Sequence, residues 1–272
     1  AEDDWALARI GPPMGVRSKE VVDRLILKGA DPADPKVKAV REALLKGLYG
    51  DKGLEARSRQ ALFFGQPEIA YLGDRARAAL AADAPKAAAA VIETFFKEER
   101  ANLHALAGGA GLESALFGRM VTSDPKSNRD AAIHVAHALT VHAIERELDY
   151  MTAVDDLTGA EQGDDAGAAG LFDMELASGL YYGYVVVDVG LLVSNLSDDR
   201  AIAGRVVQHL IHLIAKVSPG AKRGSTAPYS YAEFLLVEAG DRQPRTLANA
   251  WRDPVSLRTN RLLDTTVEGL VK

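Results

Sequence analysis

The chain has 272 residues, 47% hydrophobic and 26% charged, with no cysteine and a formal net charge of −6. Its length suits one large domain or a domain with insertions, and its composition is that of a globular chain with a sizeable core. The missing cysteines exclude disulfides, thiolate zinc sites and cysteine nucleophiles; no apolar run reaches the ~18 residues of a membrane span, and the acidic start AEDDW is not a signal peptide, which together fit a cytoplasmic chain with no membrane partner.

In chain order, Gly11-Pro12-Pro13 marks an irregular lead-in. Ser18–Lys28 predicts a helix with Val21, Val22, Leu25 and Ile26 as its apolar stripe, and Val37–Tyr49 a second with Val37, Val40, Leu44, Leu45 and Leu48 inward. Leu54–Phe64 reads as a short strand or a helical turn. Glu68–Ala82 and the Ala-rich Pro85–Ala107 read as helices, and Gly108, Gly109 and Gly111 end that half. Ala115-Leu116-Phe117 and Met120-Val121 then predict a strand running from Glu113. A helix is expected next, capped by Ser127 or Asn128, with Ile133, His137, Val141 and Ile144 on one face. Leu148–Val154 and Leu171–Ala177 read as the arms of a long β-hairpin around a Gly-rich tip. Leu180–Val189 is the strongest strand signal in the chain. Ser197 is expected to cap a helix with Ala203, Val207, Leu210, Ile214 and Val217 on one side. Arg205, His209, His212 and Lys216 fall within about 60° on the other. A polar loop Lys222–Tyr229, a strand Tyr231–Val237, a short helix Leu247–Trp251 and a closing helix Leu257–Leu270 complete the reading. The first 110 residues are thus mainly helical and the remainder alternates strand with helix, an α+β pattern.

The net charge conceals a segregation. Glu145–Glu175 holds ten acids and one base, a net −9, which leaves +3 for the rest of the chain. Lys216–Arg261 carries eight bases against four acids, so a basic surface outside the acidic segment is compatible with the total. Asp155, Asp156, Glu161, Asp164 and Asp165 resemble a metal or acid–base cluster. They lie among Gly159, Gly163, Gly167 and Gly170, in a loop too flexible to preorganise a site, so a solvated hairpin tip is the better reading. His134, His137 and His142 share the predicted helix. His137 would lie in mid-face, His134 at its edge, and His142 about 140° from His137, so no three converge on a metal and His137 reads as a core histidine. His209 and His212 sit between Arg205 and Lys216, whose charges oppose a cation. Lys222-Arg223-Gly224-Ser225-Thr226 follows Pro219-Gly220 and combines adjacent bases, small hydroxyls and free backbone, a composition suited to phosphate. A metal-dependent nuclease built on His134, His137 and the acidic loop is the competing reading, and a helical protein-interaction module without nucleic acid a third. The residues themselves present no credible catalytic constellation, so the chain is expected not to be an enzyme and to carry no cofactor or metal.

Four blocks in order carry a family resemblance: LFGRMV…SDPKSN…AAIHVAHALTVHA…DYMTAVDDL, ASGLYYGYVVVDVGLLVSNL, KVSPGAKRGSTAPYSYAEFLLVE and QPRTLANAW. They are similar to the CasC family, the repeated backbone subunit of the type I-E CRISPR surveillance complex, Cascade; the match is good over roughly the last 160 residues and weak before them. The resemblance implies a palm like an RNA-recognition motif with an inserted helical fingers subdomain and a β-hairpin thumb. Fingers would span residues 1–110, the palm 111–145 and 180–272, and the thumb 146–179. The family pattern places a palm strand and a basic segment ahead of the fingers, and this chain begins after that point. The implied partners are a CRISPR guide RNA, neighbouring copies stacked head to tail, other Cascade subunits, and target DNA through the guide, all in antiviral defence. The implied RNA contacts are Arg119 and Met120, Leu171 on the thumb, and Lys222, Arg223, Gly224, Ser225 and Thr226 as a guide-backbone loop. Met120 and Leu171 would be apolar wedges bracketing a flipped-out nucleotide. The acidic thumb tip would then face basic protein rather than RNA.

Overall fold

A computed structural model of the chain describes residues 18–50, 62–106, 111–154, 168–176, 178–218 and 227–271. The architecture is mixed: helices and three two-stranded sheets among the described residues. The chain divides into two units, Ala1–His134 with Val186–Ile214, and Val135–Val185 with Ala215–Lys272.

The first unit starts with α1 (Ser18–Leu25), α2 (Pro35–Tyr49) and α3 (Gln66–Leu80), where periodicity predicts helices. Pro35 sits in the first turn of α2, and the Asp34 side chain accepts from Lys36 N at 2.7 Å, satisfying a donor the helix leaves open. Lys36 Nζ in turn donates to Leu80 O at 3.4 Å and Ala82 O at 3.2 Å, placing a cation where the α3 carbonyls end. The five residues predicted inward on α2 are all buried. They share one core with Val22, Ile26, Leu72, Ile92, Phe95, Leu103 and Val121. The helix predicted over 85–107 forms as α4 (Pro85–Thr94), a π-helical turn Phe95–Glu99 and α5 (Arg100–His104).

The segment 111–145 departs from expectation twice. Residues Gly111–Phe117 form a helix, α6, not a strand. Glu113 stands in its first turn and Ser-Ala-Leu follows, choices that suit a helix N-terminus better than a pleated ladder. The helix predicted from Ser127 or Asn128 is instead extended backbone: β1 (Ile133–Val135) and β2 (Leu139–Thr140) after a 3-10 turn at Pro125–Ser127. Its β-branched residues Ile133, Val135, Thr140 and Val141 favour strands, and distant partners decide the matter. Ala132 O accepts from Asp188 N at 2.8 Å, Ala136 N donates to Tyr184 O at 2.9 Å, and Val141 N donates to Leu180 O at 3.2 Å.

The predicted strand 180–189 is cut into β5 (Tyr181–Tyr182) and β6 (Val185–Val187), then gives way to α7 (Val189–Asn195). Asp188 makes that change: its side chain accepts from Leu191 N at 2.8 Å as an N-cap. The next helix, α8 (Arg200–Lys216), is capped by Asp199, which accepts from Ile202 N at 2.9 Å. The expected cap Ser197 lies in the left-handed region with Asp198, at φ 59° and 63°. In the first unit, Asn195 Nδ2 ties α7 to Ala115 O (3.0 Å) and Asp130 O (2.9 Å).

The second unit carries the predicted hairpin. β3 (Glu147–Val154) and β4 (Ala168–Leu176) run antiparallel with Leu148 opposite Glu175, Tyr150 opposite Asp173 and Thr152 opposite Leu171. β2 pairs antiparallel with β5. The Tyr182 ring centre lies 4.8 Å from that of Trp251 with the planes tilted by 55°, and its hydroxyl accepts from Leu247 N at 3.0 Å. Trp251 Nε1 donates to Thr266 O in α9 (Leu262–Val271) at 3.3 Å. Tyr231–Val237, expected as a strand, has none, and its side chains are exposed. The only backbone hydrogen bond the described residues show within it is Ala232 N to Ala215 O, at 2.8 Å, too little to make a ladder.

Candidate nucleic-acid interface

The FGRMV stretch begins at the end of α6. Gly118 turns the chain at φ +77°, and a Cβ there would lie 2.9 Å from Arg129 O, so this turn requires glycine. Arg119 and Arg129 then exchange both backbone hydrogen bonds at 2.9 Å. Val121 N donates to Asn128 Oδ1 at 2.6 Å. The side chains alternate as on a strand: Arg119 is 7% exposed, Met120 65% and Val121 4%.

Arg119, expected at RNA, belongs to the scaffold. Its Nη1 donates to both oxygens of Glu68, at 3.0 and 2.8 Å, and to Phe63 O at 3.1 Å, while Nε donates to Ser127 O at 3.0 Å. The guanidinium also lies 5.8 Å from the Phe64 ring centre, within cation–π range. Glu68 also accepts from Gly65 N at 3.0 Å, closing the N-terminus of α3. Burial pushes the Glu68 carboxyl above its ordinary range against the pull of Arg119. A guanidinium so enclosed has no face left for phosphate. Sequence could not separate this arginine from a surface one, since its partner stands 51 residues away.

Met120 is exposed to solvent. Phe117, which the sequence pattern places in an apolar strand, is a surface aromatic, 61% exposed at the end of α6. On the paired segment Lys126 is exposed, and Arg129, directly opposite Arg119, is half-buried and adds its charge to the surroundings of Glu68. Leu171 falls in β4, opposite Thr152. Lys222, Arg223, Gly224, Ser225 and Thr226, and the acidic tip with Asp155, Asp156, Glu161, Asp164 and Asp165, lie outside the described residues.

The loop below the ridge is pinned by Asp124. His104 Nε2 lies 2.7 Å from its Oδ2, Ser127 Oγ donates to the same oxygen at 2.8 Å, and Arg100 Nε is 3.6 Å away. Burial alone would raise this carboxyl, yet the His104 and Ser127 hydrogen bonds and the Arg100 charge hold it below its ordinary value. A depressed carboxyl stabilises the fold above its unfolded value and loses that contribution as pH falls through the folded one. Asp124→Asn is therefore expected to flatten the loss of stability below about pH 4, measured by urea unfolding across the acid range. An unchanged acid limb would contradict it.

The histidines are redistributed. His137, expected in the core, is exposed, as is His134. His142 is the buried one: its Nδ1 donates to Ala143 O at 2.8 Å and its Nε2 accepts from Leu180 N at 3.1 Å, a pairing that fits one neutral tautomer. His209 and His212 are exposed on α8. Among the described residues no group of three or more His, Cys, Asp or Glu is placed to hold a metal ion. Nor, among them, is any helix long and apolar enough to cross a membrane.

This mixture of helices and small sheets is a fold seen in solved assemblies. A chain of a CRISPR RNA-guided surveillance complex, pre-nicking, is similar over 94% of this chain and 70% of its own, with TM-score 0.68 and 21% identity. A chain of another CRISPR RNA-guided surveillance complex covers 58% of this chain and 59% of its own at 25% identity, with TM-score 0.48, too loose a match in shape to carry an argument. No curated protein sequence matches. The fold class is thus that of the first of these chains. The family described as CT1975-like protein matches residues 5–272, and the chain belongs to it; the CasC-type resemblance of the four sequence blocks stands with that membership.

Proposed function

We propose that the chain is a non-catalytic CRISPR RNA-binding backbone subunit of a Cascade-type surveillance complex. Several copies stack head to tail along a guide RNA, beside other subunits, and leave its bases free to pair with target DNA. Protein contacts to the backbone and base pairing for sequence is the division of labour known from another RNA-guided system. Heterologous stacking of this kind gives an open filament. Residues 1–110 act as fingers, 111–145 and 180–272 as a palm of RNA-recognition-motif type, and 146–179 as the thumb. The observation that carries the reading is the family match over residues 5–272. The fold likeness and the exposed Met120 ridge support it. Met120 and Leu171 supply the apolar wedges and Lys222–Thr226 the phosphate contacts; Arg119 is left out of the RNA-contacting set.

Purified protein carrying co-purified RNA, seen as a high ratio of absorbance at 260 to 280 nm, and length-dependent binding of labelled RNA without cleavage in divalent metal, are the expected results. Metal-dependent cleavage abolished by His134→Ala would replace this reading with a nuclease. The double variant Lys222→Ala, Arg223→Ala is expected to bind RNA more weakly, with the slope of log affinity against log salt reduced by about 1.4, the value for two phosphate contacts on a single strand. An unchanged slope would remove that loop from the site.

A further inference from the structure

Met120 projects from a backbone fixed on every side. Gly118 turns the chain before it, the Arg119–Arg129 bridge holds the residue ahead, and Asn128 Oδ1 takes the N–H of the residue behind. Arg119 in turn is locked by Glu68, which reaches it with both carboxylate oxygens from the first turn of α3. The pair is enclosed, its side chains 4% and 5% exposed. Buried ion pairs are poor sources of net stability, and apolar residues of like volume often do as well. What this pair supplies that an apolar contact lacks is direction: with Nη1 on both Glu68 oxygens and on Phe63 O, and Nε on Ser127 O, the planar guanidinium admits one orientation of the Arg119 side chain. Because Arg119 points inward, its backbone presents Met120 outward.

From this we infer that Glu68 is a positioning residue for RNA: through Arg119 it fixes the height and direction at which the Met120 side chain meets an unstacked nucleobase. The inference rests on the role given to Met120 above. Wedge residues act only when their own support is rigid, since a loosely held side chain yields to the base stack it should part.

The test uses the full chain bound to single-stranded RNA carrying 2-aminopurine at successive positions, a probe whose fluorescence rises when its base unstacks. Binding to the wild-type protein is expected to raise the signal at some positions, and Met120→Ala to abolish that rise. Glu68→Gln is expected to abolish it too, with the salt dependence of RNA binding unchanged because the phosphate contacts are intact. The double variant Glu68→Gln, Arg119→Met retains the acceptor for Gly65 N and buries no charge, so it serves should the single variant fail to fold. It too is expected to bind RNA and lose the signal, an outcome that lost stability would not produce. A folded Glu68 variant with the full wild-type rise would overturn the positioning role and leave Met120 as the wedge. A full rise in Met120→Ala would overturn the reading of Met120, and this inference with it.

Discussion

Arg119→Met is expected to lower the stability of the first unit by about 3–5 kcal/mol, the range for breaking a buried ion pair at one partner. The loss exceeds that of the bonds alone, because Glu68 is left as a buried carboxylate with Gly65 N as its remaining observed donor. Its direction with pH follows from Glu68. Burial already raises that carboxyl, and removing Arg119 takes away the strongest of the influences that oppose the rise, leaving the Gly65 hydrogen bond and the weaker pull of Arg129. A carboxyl raised in the folded state favours folding below its unfolded value, and that contribution disappears as pH climbs through the folded one. The penalty in Arg119→Met should therefore be largest at neutral pH and shrink in mild acid, where Glu68 takes up a proton. Adding Glu68→Gln should recover most of the loss, since the double variant buries no charge and keeps the bond to Gly65 N. Urea unfolding of the three proteins at two pH values provides the measurement. A pH-independent loss below about 1 kcal/mol would show that the pair is not the anchor described.

Gly179→Ala is expected to disrupt the second unit around His142. A Cβ at position 179 would lie 2.0 Å from His142 Nε2 and 2.4 Å from Cε1, and the ring is 3% exposed. It is held at both nitrogens, by Ala143 O and Leu180 N, while the adjacent Val141 bonds to Leu180 and Val255. The ring cannot yield without giving up those bonds, so a cost of about 1–3 kcal/mol follows from overpacking, with Leu180 N–H losing its acceptor besides. The diagnostic is coupling. Removing the ring in His142→Ala opens the space that the new methyl needs, so Gly179→Ala should cost much less in that background than in the wild type. Equal costs in both backgrounds would place the strain elsewhere.

Both predictions concern residues that the sequence made conspicuous for other reasons. Arg119 stands beside Met120 in a block that carries the family resemblance, and His142 is one of three histidines closely spaced in the chain. Position in the chain identified the segments, and tertiary partners assigned the roles. At Arg119 the partner is Glu68, and the result is a scaffold instead of a phosphate contact. At the histidines it is Gly179, whose missing side chain leaves room for one ring; His142 fills it and His137 stays in solvent.

What the sequence determined by itself is the part specified within a turn or two of chain. The helix Pro35–Tyr49 follows from its cap, its proline and its apolar period, and both hairpin arms follow from alternation around a Gly-rich tip. The family likewise was legible in four ordered blocks. Only the tertiary structure decided residues 111–145 and 180–189. There, short apolar runs fit helix and strand alike, and the choice depends on hydrogen-bond partners some fifty residues away, such as Ala132 with Asp188 and Ala136 with Tyr184. Local propensity is worth tenths of a kcal/mol per residue, whereas a buried backbone group left unpaired costs more than that, so long-range pairing wins. The same arithmetic put Arg119 inside and left Met120 out.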